Sequence, residues 1–139
     1  KKILSVEGLE LSLNDIEHRI LRPIWKDNRL HYALNCASLG CPNLQPQAFT
    51  AANSEQLLES AAREYINHPR GARVLNGNLQ VSSIFDWYQT DFGNSENGVI
   101  AHLRSYATTS LLNELEGIYE IDEYAYNWSL NDLKSAARE

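Results

Sequence analysis

Asn76-Gly77 constrains the fold more than any other feature of the chain. The pair stands between two short apolar-containing runs, residues 73–75 and 79–82. A type I′ turn needs positive φ at both central residues, and Asn-Gly supplies it at low steric cost, so the two runs fold back on each other as an antiparallel hairpin. Immediately upstream, Leu57, Leu58, Ala61, Ala62, Tyr65 and Ile66 recur at helical spacing over residues 54–67, and Pro69-Arg70-Gly71 ends that pattern. A helix running straight into a tight hairpin sets the class as α+β.

The rest of the chain is consistent with it. Apolar residues flank Glu7-Gly8, which predicts a second hairpin over residues 3–6 and 9–11. Ser12 and Asp15 have capping-box spacing and open a helix over 13–21 that Pro23 should stop. Residues 30–35 alternate Leu30, Tyr32 and Leu34 with His31, Ala33 and Asn35, the pattern of a strand. Small residues, Gly40 and Pro42 make 36–42 a loop. Ser82 or Ser83 caps a short aromatic helix over 84–88. Val99, Ile100, Leu103 and Tyr106 mark another helix, Leu111, Leu112 and Leu115 a further helical piece, and 118–124 reads as a late strand. Without steady βαβ alternation, short antiparallel strands and hairpins packed with several helices form one α+β domain over residues 1–139.

Twelve basic against eighteen acidic residues give a net charge of −6. That excludes the clustered basic face of a nucleic-acid binder. No apolar run approaches the ~20 residues of a membrane span. Two cysteines are too few for a disulfide-built scaffold.

Chemistry concentrates in the segment from Arg29 to Leu44. A free thiol ionises near ~8.5, so Cys36 needs an imidazole, a cation or backbone amides beside it to become a nucleophile. His18, next to Glu17 on the first helix, and His31, on the strand, are the candidate bases. Strict strand parity puts His31 on the face opposite Cys36. Other roles stand beside this one. Cys36 and Cys41 can be small buried residues, or can close a short disulfide. With His18 and His31 they can bind zinc, although Cys-x4-Cys departs from the usual ligand spacing. Arg22 and Arg29 can hold a carboxylate or form surface ion pairs.

The stretch RLHYALNCASLGCPNL resembles the signature of the family called domain of unknown function 547. The segments LSLNDIEHRILRP, LLESAAREYINHPRG, SSIFDWYQTDFG, GVIAHLRSYA and YAYNWSLN are similar to it in the same order. Members are regarded as similar to papain-like and transglutaminase-like thiol enzymes, so the resemblance implies that kind of α+β fold with a Cys–His–acid site. The family-typical polar positions present are Glu17, His18, His31, Asn35, Cys36, Cys41 and Asp86. Bacterial members carry a mainly helical N-terminal part before the segment that starts here. Its lack implies uncovered apolar surface, which a separate segment of the same domain would cover. Such members often follow an export signal, which implies an extracytoplasmic location.

The expected function is a cysteine-dependent hydrolase or acyl transferase acting on an amide or peptide-like bond, without cofactor or metal. Cys36 would be the nucleophile, His18 the base with His31 as second choice, and Glu17 the orienting acid. Asn35 or loop amides would stabilise the oxyanion, and Cys41, Asp86 and Arg22 would contact a small-molecule or peptide substrate. The alternative is a non-catalytic module that binds a peptide or thiol ligand in the same pocket.

Overall fold

The computed structural model describes residue 2 and residues 4–132. Strands β1 (Leu4–Val6) and β2 (Leu9–Leu11) pair antiparallel around Glu7-Gly8. The expected residue 3 of that hairpin lies outside the described residues. The Ser12–Asp15 capping box is present in both directions and starts α1 (Leu13–Asp15).

Pro23 does not stop the helix. After α1 the backbone widens into a π-helix, Ile16–Leu21, in which the Arg22 N–H reaches back to the Glu17 carbonyl. Pro23 then falls in the first turn of α2 (Arg22–Trp25), where a missing N–H costs little. Lys26 ends the run in the left-handed region, with φ of 53°. The N-terminal unit leaves Leu4, Val6, Leu9, Leu13, Ile24 and Trp25 exposed.

Residues 30–35 are not a strand. Asn28–Tyr32 is a 3-10 helix, because the Asp27 carboxylate accepts the Arg29 N–H and nucleates a turn. Arg29 is held by Asp27 and Glu55, which docks the turn on α3 (Ser54–Ile66). The alternation of Leu30 and Tyr32 matched a strand only locally. The 3-10 turn instead buries His31 and Tyr32 together, so the parity argument that separated His31 from Cys36 does not apply.

Strands β3 (Ala72–Leu75) and β4 (Asn78–Ser82) form the expected hairpin, with Asn76 at φ 53° and Gly77 at φ 85°. Gly71, just before β3, has no room for a side chain: a Cβ there would meet the Tyr65 carbonyl oxygen at 1.9 Å. The late strand is shorter than expected. Only β5 (Glu123–Ala125) pairs, and it runs parallel to β4 in a sheet of order β3-β4-β5. Helices α4 (Ile84–Trp87), α5 (Glu96–Tyr106) and α6 (Thr109–Glu114) complete the unit. The class is α+β. Its core joins Ala61, Ala62, Tyr65 and Ile66 of α3 to Leu79, Val81, Phe85, Val99, Leu103 and Leu115. Among the described residues, no helix is long and apolar enough to cross a membrane.

One polar pair sits inside this core. The Tyr32 hydroxyl meets His102 Nε2 at 2.7 Å, and both side chains are buried. Burial holds the His102 pKa down at about 4, although the Asp27 charge opposes the shift. In the unfolded chain the same imidazole takes up a proton near its ordinary 6.5. Its contribution is therefore present above pH 6.5 and lost as pH falls from 6.5 towards 4, on the order of 3 kcal/mol over that window. Thermal unfolding followed from pH 7 to 4 should show the wild type losing Tm more steeply than His102→Gln.

Candidate active site

A cavity of about 240 Å³ opens where the loop after the 3-10 turn meets α4. Glu17, His31, Asn35, Cys36 and Cys41 line it together with Trp87, Tyr88, Tyr126 and Trp128. A neighbouring cavity of about 480 Å³ is lined by His18, Arg22, Asp27 and Asp91. The structure thus places Glu17 and His31 around Cys36, and puts His18 and Arg22 in the space beside it. Asp86 lies on the exposed side of α4 and lines neither cavity.

The Cys36 loop is held by a segment almost ninety residues later. Leu39 N–H donates to Ser129 O at 2.9 Å, Gly40 N–H to Asn127 O at 2.8 Å, and Asn131 N–H to Ala37 O at 2.8 Å. Ser38 and Leu130 form an antiparallel bridge. Gly40 permits this approach, because a Cβ there would lie 2.9 Å from Asn127 N and 3.0 Å from the Tyr126 ring. Inside the loop, Asn35 accepts the Ala37 N–H at 2.8 Å and donates to Pro42 O at 2.8 Å. Ala37 is held at φ 61°, an uncommon conformation for alanine.

The clamp brings the Tyr126 hydroxyl to 3.1 Å from Cys36 Sγ, with Ser38 Oγ also 3.1 Å from the sulfur and 2.9 Å from the Tyr126 hydroxyl. Both thiols are free, Cys36 exposed and Cys41 buried. Burial disfavours charge at Cys36, but hydrogen bonds from Cys41, Ser38 and Tyr126 outweigh it and bring the thiol down to about 7. Burial pushes Cys41 up to about 11, and its contact with Cys36 adds to the rise. Tyr126 is raised by burial and by the neighbouring sulfur, so its hydroxyl keeps its proton to donate.

Also in the lining, His31 Nε2 meets Asp91 Oδ2 at 2.8 Å, and the same carboxylate oxygen accepts from Arg22 Nε at 2.7 Å. The His31 ring stacks on Tyr88, with centroids 4.2 Å apart, and tilts against Phe92 at 5.4 Å. Burial lowers the His31 pKa, while Asp91 works in the other direction and Arg22 partly cancels it. Burial wins, so the imidazole is neutral at neutral pH and able to accept a proton. His18 Nδ1 is taken by Arg22 Nη1 at 3.0 Å, and its Nε2 stands 3.8 Å from Glu17.

Of the expected oxyanion donors, Asn35 gives one amide hydrogen to Pro42 O, the Cys36 N–H donates to Cys41 Sγ at 2.8 Å, and the Ser38 N–H faces the Cys36 sulfur. Among the described residues, no group of three or more His, Cys, Asp or Glu is arranged to hold a metal ion.

Residues 1–66 match the model of the family described as "Protein of unknown function, DUF547". Over that stretch the chain is similar to the family. No curated protein and no solved structure matches the chain. The matched stretch carries Glu17, His18, Arg22, His31, Asn35, Cys36 and Cys41. Tyr126 and the aromatic wall of the cavity, and Asp91, which bonds His31 from the neighbouring cavity, come from beyond it. Sequence reasoning missed Asp91, Ser38 and Tyr126. Their signals were present: Asp91 lies in SSIFDWYQTDFG, from which Asp86 was chosen, Tyr126 lies in YAYNWSLN, and Ser38 follows Cys36 by two positions.

Removing the Tyr126 hydroxyl should raise the Cys36 pKa from about 7. Iodoacetamide labelling of Tyr126→Phe at pH 7 should then be roughly threefold or more slower than wild type, with the difference vanishing at high pH.

Proposed function

We propose that the chain is a cysteine-dependent hydrolase or acyl transferase acting on an amide or peptide-like bond. The observation that carries this reading is the cavity itself. Its lining includes an exposed thiol brought down to about 7 and a buried imidazole bonded to a carboxylate.

Cys36 is the nucleophile in this reading. His31 replaces His18 as the base, because its Nε2 is fixed by Asp91 and it lines the same cavity as Cys36, whereas His18 lines the neighbouring one. Asp91 replaces Glu17 as the orienting acid, and Arg22 keeps Asp91 ionised and in place. Cys36 attacks the substrate carbonyl, forming a C–S bond while His31 takes the thiol proton. His31 returns that proton to the leaving nitrogen as the C–N bond breaks. Water or an amine, deprotonated by His31, then cleaves the thioester. The Tyr126 and Ser38 hydroxyls, both 3.1 Å from the Cys36 sulfur, can donate to the oxyanion as charge develops on the carbonyl oxygen. The arrangement of thiol, imidazole and acid supports a likeness to papain-like and transglutaminase-like chemistry.

The rim favours a substrate with a flat or apolar group beside the reacting carbonyl. Trp87, Tyr126 and Trp128 stand with ring centroids 4.7 to 5.4 Å apart. Trp87 and Trp128 are 46% and 69% exposed, so their faces are open to a ligand.

A non-catalytic ligand-binding module is the second reading. One observation favours it: among the described residues, the Cys36 sulfur is hydrogen-bonded to the Ser38 and Tyr126 hydroxyls, the Ser38 backbone N–H and the Cys41 thiol, not to an imidazole.

A fluorogenic amide or thioester panel separates the two. Amide turnover should rise as pH climbs and His31 loses its proton, fall again above about 7 as Cys36 loses the proton that the leaving nitrogen needs, and be abolished in Cys36→Ala. It should fall by about 10²–10⁴-fold in His31→Gln, with Asp91→Asn at the lower end of that range. His18→Gln should change it far less. Turnover that survives Cys36→Ala, or that depends on His18 and not His31, contradicts the assignment.

A further inference from the structure

Beyond its hydrogen bond to Cys36, Cys41 takes no step in the proposed hydrolysis, yet its sulfur lies against the backbone of the nucleophile. The Cys36 N–H donates to Cys41 Sγ at 2.8 Å, and the two side chains share a hydrogen bond. Cys41 also donates to the Leu34 carbonyl at 3.7 Å, so the loop from 34 to 41 wraps around its sulfur. Cys36 is open to solvent and Cys41 is 4% exposed. An exposed, readily ionised thiol touching a sheltered second thiol is the arrangement of a peroxide-sensitive pair with a resolving cysteine. A purely structural Cys41 would need only apolar neighbours, whereas this one is aimed at the backbone and side chain of Cys36.

We infer that Cys36 and Cys41 form a reversible oxidation site, in which a peroxide oxidises Cys36 and Cys41 resolves the product to an intraloop disulfide. The inference rests on the reading of Cys36 as a reactive thiol. It does not require that the chain hydrolyse anything.

The Cys36 thiolate attacks one oxygen of the peroxide. An S–O bond forms, the O–O bond breaks, and hydroxide or alkoxide leaves. The Cys41 sulfur then attacks the Cys36 sulfenic acid, so that the S–S bond forms, the S–O bond breaks, and water leaves with the Cys41 proton. Two electrons pass from the thiol pair to the peroxide. Contact between the sulfurs gives the second step the advantage of an intramolecular reaction over further oxidation. The disulfide removes the nucleophile and the N–H acceptor together, which silences the cavity until a reductant restores it.

The test treats the intact chain with a small excess of hydrogen peroxide and maps peptides without reduction. The expected result is a Cys36–Cys41 link, a loss of two hydrogens in the intact mass, and Cys36 labelling by iodoacetamide that drops by more than about tenfold and returns with dithiothreitol. Cys41→Ala and Cys41→Ser should instead lose labelling that dithiothreitol does not restore, as Cys36 proceeds to the sulfinic acid. Should both variants misfold, the wild-type map alone still decides. Sulfinic Cys36 in the wild type, or disulfides only between chains, overturns the inference. Because the readout is mass and labelling, an absence of amide turnover sinks the proposed hydrolase while leaving this result standing. Turnover without the internal link does the reverse.

Discussion

The site depends on the pairing of the Cys36 loop with the chain segment around residues 127–131. A loop of small residues has little to hold it by itself, and Ala37 sits in a conformation that an isolated chain would avoid. Backbone bonds from Leu39, Gly40 and Asn131, all near 2.8–2.9 Å, supply the constraint from outside. The same pairing delivers Tyr126 to the sulfur. Position and activation of the thiol therefore share one cause, and Gly40 is the residue whose lack of a side chain permits both.

Two opposing effects meet at each wall of the cavity, and they resolve differently. At Cys36 desolvation disfavours the thiolate, but several donors converge on one sulfur and prevail. At His31 the favourable carboxylate is shared with Arg22, whose permanent charge partly neutralises it, so burial prevails and the imidazole stays neutral. A polarised thiol and an uncharged base are what acyl chemistry at neutral pH asks for. These groups come from separate elements: Asp91 from the 3-10 turn Gln89–Phe92, His31 from Asn28–Tyr32, and Tyr126 from just after β5.

The sequence was most readable where local chemistry decides the backbone. The Asn76-Gly77 turn, the Ser12 capping box and the apolar stripe of α3 all form as their patterns dictate. It misled where tertiary contacts override a short pattern. Leu30 and Tyr32 alternate like a strand, but the Asp27 cap and the Arg29–Glu55 pair wind them into a 3-10 turn. Pro23 should end a helix, but a π-turn shifts the register and carries the chain past it. Cys36, His31 and Glu17 were legible as candidates, and they line one cavity. Asp91 and Tyr126 were not legible, since they lie 60 and 90 residues from His31 and Cys36 and only the packed fold joins them.

The central claim is that the clamped loop holds Cys36 as an activated thiol. Ultraviolet thiolate absorbance, titrated against pH in the folded chain and after denaturation, tests it most directly. The account predicts a folded-state ionisation with a midpoint near 7 that is absent in Cys36→Ala and moves up to the ordinary ~8.5 on unfolding. A folded-state midpoint at or above that ordinary value would contradict it.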